Sequence, residues 1–175
     1  MRKLLTASLS ILLSGCLGMP ETVTPVKNFE LERYLGQWYE IARLDHSFER
    51  GLEAVTAEYS LQENGSVKVL NRGYSSEKGK WKEAIGKAYP VDDEATGYLK
   101  VSFFGPFYAS YAIFVLDHKD YEYALVSGPD TSYLWLLARQ PTLDEKTLNH
   151  LVEEAARRGF DTSQLIFVDQ SRNLP

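Results

Sequence analysis

An all-β architecture is what this 175-residue sequence predicts: an eight-stranded antiparallel up-and-down barrel with one C-terminal α-helix packed outside. Three observations lead there. The chain breaks into short alternating segments separated by turn residues, its aromatic content is rich at 13%, and a single amphipathic stretch stands near the C-terminus.

The expected strands are roughly 38–44, 55–62, 67–74, 81–91, 97–103, 108–117, 121–128 and 133–139. Val55, Ala57, Tyr59 and Leu61 alternate with Thr56, Glu58, Ser60 and Gln62, the period of a half-buried strand. Leu99, Val101 and Phe103 repeat that pattern against Tyr98, Lys100 and Ser102. Asn64-Gly65 marks a tight hairpin between the second and third segments. Short connections make sequential neighbours antiparallel, and closing eight of them into a barrel leaves no free edge.

The last three segments are apolar on both faces, as in 112–116 and 134–137, so something must cover their outer side. Leu148, Leu151, Val152 and Ala155 recur at helical spacing, with Glu153, Glu154, Arg157 and Arg158 on the opposite face. Thr142 with Glu145 reads as a capping box, and Gly159 suits the position after the helix. Residues 165–168 are expected to return as a short extra strand.

Composition limits the function. The formal charge is −5, and losing Arg2 and Lys3 with a leader makes the rest two units more negative, which excludes nucleic acid as a partner. The leader itself is legible. A basic start precedes an apolar run from Leu4 to Leu13, about half the length of a spanning helix, so it reads as an export signal. It ends Leu13-Ser14-Gly15-Cys16, which resembles the bacterial lipobox, and Cys16 is the only cysteine. That resemblance implies S-diacylglycerol and N-acyl attachment at Cys16, and the absence of Asp at position 17 resembles lipoproteins sent to the outer membrane. The expected organisation is a signal peptide at 1–15, an acylated cysteine and tether at 16–27, and one domain at 28–175.

Gly36-Gln37-Trp38-Tyr39 opens the first strand, Asp120-Tyr121 lies between the sixth and seventh, and Arg139 ends the eighth. Together these motifs resemble the signature of the lipocalin family. Longer stretches extend the likeness to the family's bacterial lipoproteins: 34–43, 48–51, 100–107 and 133–135, within a similarity running from about Asn28 to Val168. The resemblance implies a lipocalin calyx with Gly36, Trp38, Asp120, Tyr121 and Arg139 as structural residues converging on the closed end. There Trp38 plugs the floor and Arg139 lies over its indole. It also implies a ligand, a fatty acid or a lysophospholipid, held in the bacterial cell envelope for membrane maintenance. The location implied is the outer membrane, lipid-anchored and facing the periplasm.

The remaining loops then surround the open mouth. Trp135 and Tyr133 fall in the inward phase, Tyr108 and Phe104 stand near the top of strands, and Phe48 sits in a long loop as a candidate lid, so these five are the expected ligand contacts. Glu40 shares the phase of Trp38, and the sequence leaves open whether it faces the cavity or a bulge turns it outward. His46, His118 and His150 lie on separate elements and read as surface residues, with no metal-binding spacing. No serine elbow or phosphate loop is present, so neither catalysis nor a cofactor is expected. The competing function is an envelope interaction protein that presents its loops to a partner. A homodimer stays open.

Overall fold

The computed structural model describes residues 17–91 and 95–174; the signal segment and Cys16 lie outside the described residues. A one-turn helix α1 (Leu31–Tyr34) leads into β1 (Gly36–Arg43), β2 (Leu52–Leu61), β3 (Val67–Ser75) and β4 (Lys80–Pro90). These are followed by β5 (Tyr98–Phe104), β6 (Phe107–Leu116), β7 (Tyr123–Ser127) and β8 (Leu134–Ala138). Helix α2 (Glu145–Arg157) and the two-residue strand β9 (Ile166–Phe167) follow, with single 3-10 turns at Thr162–Gln164 and Ser171–Asn173. Each strand pairs antiparallel with the next, β8 pairs with β1, and β1 closes on β2, so the expected eight-stranded barrel forms, with β9 added beside β1.

Turn chemistry sets the register. Gly65 takes a φ of 78°, and Asn64 Oδ1 accepts a bond from the Ser66 backbone N–H at 3.0 Å, which fixes the β2–β3 hairpin. Two bulges then redirect side chains. One between Glu40 and Ala42 sends Ile41 and Ala42 together to the outer cluster; the other, between Ile113 and Val115, does the same for Phe114 and Val115.

The apolar outer faces of β6–β8 are covered as their sequence requires. Leu151 and Ala155 of α2 are buried against Phe114, Leu125, Leu134, Leu136 and Ala138. The helix begins later than its capping signal suggested. Asp144 is the N-cap and accepts from Thr147 N at 3.0 Å, so Thr142 and Glu145 form no box. A cap aspartate directly before the first helical residue leaves Thr142 outside the first turn.

Residues 17–27 of the expected tether lie strapped along the barrel. Met19 and Val23 join the cluster under α2, Tyr98 Oη donates to Leu17 O at 2.9 Å, and Ser110 Oγ donates to Gly18 O. Val26 N donates to Ile113 O at 2.9 Å, and Lys27 bridges to Thr96. The segment therefore descends the outer wall of β5 and β6 from the open end to the closed one.

Candidate functional site

The barrel interior is the candidate site, and its two ends are built differently. At the floor, Trp38 is fully buried and donates from Nε1 to Tyr34 O at 2.8 Å. Arg139 lies over the indole with its guanidinium carbon 4.0 Å from the ring centroid. Its three nitrogens donate to the backbone carbonyls of Gln37 (2.9 Å), Arg33 (2.7 Å) and Tyr121 (3.3 Å). Gly36 holds a φ of 90°, and a Cβ there would stand 3.5 Å from Arg139 Nη1. A left-handed residue against the arginine explains the glycine of the motif.

Tyr121 is also left-handed, at φ 57°, and its hydroxyl accepts from Glu30 N at 3.0 Å while Arg33 covers its ring at 4.1 Å. Asp120 is exposed and pairs only with Lys119 among the described contacts. The turn is organised instead by Asp117, whose carboxylate accepts from the backbone N–H groups of Lys119, Asp120 and Glu122. Above Trp38, the hydroxyls of Tyr34, Tyr111 and Tyr59 form a chain at 2.8 and 2.7 Å. Burial pushes all three phenols up, so they stay neutral donors and acceptors.

Small residues on β3 and β4 let neighbouring side chains close in above this floor, with the Phe103 ring against Gly86 and Leu52 and Val55 against Gly73. Alternation from Ala88, Val67 and Val69 puts Ala84 and Gly86 of β4, and Asn71 and Gly73 of β3, on the inner face. Across from them stand Ile113, Val126, Leu137 and Trp135. Asn71 Oδ1 is buried on this wall without a hydrogen-bond partner.

The mouth carries buried charge. The β1 bulge restores phase, so Glu40 and Arg43 face inward together, and Arg43 Nη1 donates to Glu40 Oε1 at 2.6 Å with both side chains almost fully buried. Arg43 Nη2 donates to Glu49 O at 3.0 Å, and Trp135 Nε1 donates to Glu49 Oε2 at 3.0 Å. Burial first, and then the Glu49 charge, hold the Glu40 carboxyl well above its usual range; burial raises Glu49 as well. His46 is buried too, stacked on Tyr133 at 4.9 Å and on Phe48 at 5.3 Å, and against Trp135 at 4.8 Å. Burial, reinforced by the Arg43 charge, lowers its pKa to about 4, leaving a neutral ring.

The sequence-derived ligand contacts thus separate. Trp135 and Tyr133 lie on the inner wall near the mouth, with Phe48 capping His46. Tyr108 does not join them: it is out of phase with Tyr111 and Ile113 and sits on the outer wall, against Tyr89 and under Lys100 Nζ at 5.4 Å. Phe104 projects from the β5–β6 tip, strongly exposed. His46 corrects the expectation of a surface histidine, whereas His118 and His150 are exposed. Arg43 and Glu49 were missed as site residues because the Glu40-to-Arg43 spacing of three predicts opposite faces unless a bulge intervenes. Among the described residues no three potential metal ligands converge, and no helix is long and apolar enough to cross a membrane.

Known proteins share this plan. The chain is 61% identical over 170 residues to the outer membrane lipoprotein Blc of Vibrio cholerae serotype O1, covering 97% of this chain and 99% of that one. It is 51% identical to the protein of the same name from Escherichia coli K12, over 86% of this chain and 85% of that one. Among solved structures, insecticyanin of Manduca sexta superposes with a TM-score of 0.68 at 23% identity, over 86% of each chain, which speaks for the fold alone. Residues 29–170 match the lipocalin-like domain, and with these relatives they show that the chain belongs to the lipocalin family.

Proposed function

We propose that the calyx carries one single-chain lipid, a fatty acid or lysophospholipid, for a bacterial envelope to which the protein is tied through acylated Cys16. Lipocalins of this kind are binders of small hydrophobic molecules, not enzymes, and the relatives' name supports an outer-membrane place for this one. The observation that carries the reading is the interior itself. It is sealed below by Trp38 and Arg139, lined by Ile113, Val126, Leu137 and Trp135, and capped by the loop that carries Glu49.

A chain of about 16 carbons buried at ~0.8 kcal/mol per methylene gains on the order of 10 kcal/mol. Association and ordering take back several, leaving an affinity between micromolar and nanomolar. The chain is acidic, with a formal charge of −5, so a zwitterionic lysophospholipid should bind at least as well as a free fatty acid. An eight-stranded barrel holds one slim ligand, so diacyl phospholipids should bind poorly. Titrating delipidated protein with all three lipids while following tryptophan emission tests this, with Trp135→Ala as the weakened control. Binding of short polar solutes in place of acyl chains would overturn the reading. Anchoring is tested separately: Cys16→Ser should leave the membrane fraction.

A further inference from the structure

We infer that the barrel stands mouth-down on the bilayer, with the β5–β6 tip as a second membrane contact beside the lipid anchor; this rests on the acylated Cys16 proposed above. The argument comes from the strap. Its first described residue, Leu17, is one peptide bond from Cys16 and is held at the open end, where Leu17, Lys100, Pro106, Phe107 and Tyr108 line a cleft of about 320 Å³. Gly18 also lies at this end, where a Cβ would stand 3.5 Å from Pro129 O in the β7–β8 loop. The strap then runs away from the mouth, with its carbonyls tied to Tyr98 and Ser110 and Val23 buried under α2. No slack remains to let the anchor reach round to the floor, since seven residues of β5 alone span about 23 Å.

The surface chemistry at the two ends agrees. At the mouth, Phe104 is 81% exposed, Phe107 78% and Phe48 59%, an apolar rim that water leaves uncovered. Lys78 in the β3–β4 turn, Lys80 at the start of β4 and Lys100 on β5 stand at the same end, with Glu77 just before the first. At the floor Glu30, Glu32, Glu63, Asp120 and Glu122 are exposed beside Lys27, Lys68 and Lys119, and no aromatic ring is strongly exposed there among the described residues. Aromatic rings and lysines suit an interface with anionic lipid, and carboxylates do not. A lipid leaving the bilayer would then pass straight into the calyx without crossing water.

The full acylated chain in phosphatidylethanolamine–phosphatidylglycerol vesicles tests this. An environment-sensitive dye is attached at Phe104→Cys or, at the floor, at Glu63→Cys, while Cys16 is blocked by its own thioether. Spin-labelled lipid should quench the dye at 104 several-fold more than at 63, with a blue shift at 104 only. Equal quenching, or the reverse order, in vesicle-bound protein overturns the orientation and leaves the anchor standing. Protein that stays in the supernatant overturns the anchor, and the orientation with it. As a second readout, Phe107→Asp should slow loading of lipid from vesicles about tenfold; an unchanged loading rate overturns the role of the tip.

Discussion

The floor and the mouth of this barrel solve opposite problems with the same kinds of side chain. Each end has an arginine. Arg139 sits half-buried and satisfies backbone carbonyls from three separate segments while stacking on Trp38. Arg43 is buried between the Glu40 carboxyl and the Glu49 backbone carbonyl, with its Nε unsatisfied. The floor is thus a closed hydrogen-bonded joint, whereas the mouth holds charge at a cost in desolvation. Closing a barrel requires the first, and admitting a ligand with a polar head group tolerates the second.

The largest effect should come from the mouth. Arg43→Ala strips Glu40 and Glu49 of their buried cation, and breaking such a pair costs about 3–5 kcal/mol. Urea unfolding at neutral pH should show it, with a smaller loss in acid, where both carboxyls are protonated. The double variant Glu40→Leu with Arg43→Met should recover most of that loss, because an apolar pair of similar volume carries no desolvation cost. A double variant as unstable as Arg43→Ala would mean that Arg43 matters through its bonds to Glu49 O and Leu52 O instead.

At the floor, Arg139→Ala removes a cation–π stack worth ~0.5–2 kcal/mol and bonds from a charged donor worth ~1.5–3 kcal/mol. The expected net loss is about 2–4 kcal/mol, with lipid affinity nearly kept, since Trp135 and Glu49 lie at the other end. Arg139→Lys should recover little, because a single ammonium cannot reproduce the planar fork. Equal stability with binding abolished would reverse the assignment of the two ends.

Legibility in the sequence follows the same division. The barrel, its strand order, the outer helix and the Trp38–Arg139 floor were readable because they depend on periodicity, turn residues and motifs at fixed places. Bulges are not periodic, so the inward pairing of Glu40 with Arg43 and the outward turn of Tyr108 were hidden. His46 carried no local sign of burial, as its partners Tyr133 and Trp135 are about ninety residues away in the chain. The strap looked like a linker because Pro20 and Pro25 suggest one, yet Val23 and Met19 between them supply the apolar anchors. Asp117 shows the reverse case: the motif's recognisable core, Asp120-Tyr121, is held by a carboxylate three residues earlier.

The smallest and most discriminating effect concerns pH, because the buried groups of the mouth oppose one another. His46 has its pKa lowered from 6.5 to about 4 in the fold, so the unfolded chain takes up the proton first as pH falls. Its contribution to stability is complete above 6.5 and is lost between 6.5 and 4, with a ceiling of about 3 kcal/mol. Glu40 and Glu49 are raised, so there the folded state holds the proton longer, and stability falls as pH rises above the ordinary glutamate value of 4.5. Between 4.5 and 6.5 the two contributions therefore have opposite slopes and partly cancel. His46→Phe, which keeps the stack on Tyr133 and Phe48, removes only the acid-side loss. Relative to the parent, it should gain stability as pH drops from 6.5 to 4.5, and Glu40→Gln should gain as pH rises over the same interval. Taking each variant's urea midpoint against the parent's at every pH subtracts the exposed carboxylates Asp45, Asp130, Asp144 and Asp169, whose lowered values act only further into acid. A His46→Phe difference that stays flat across the interval would show that the imidazole titrates freely and that the Phe48 loop leaves it open to water.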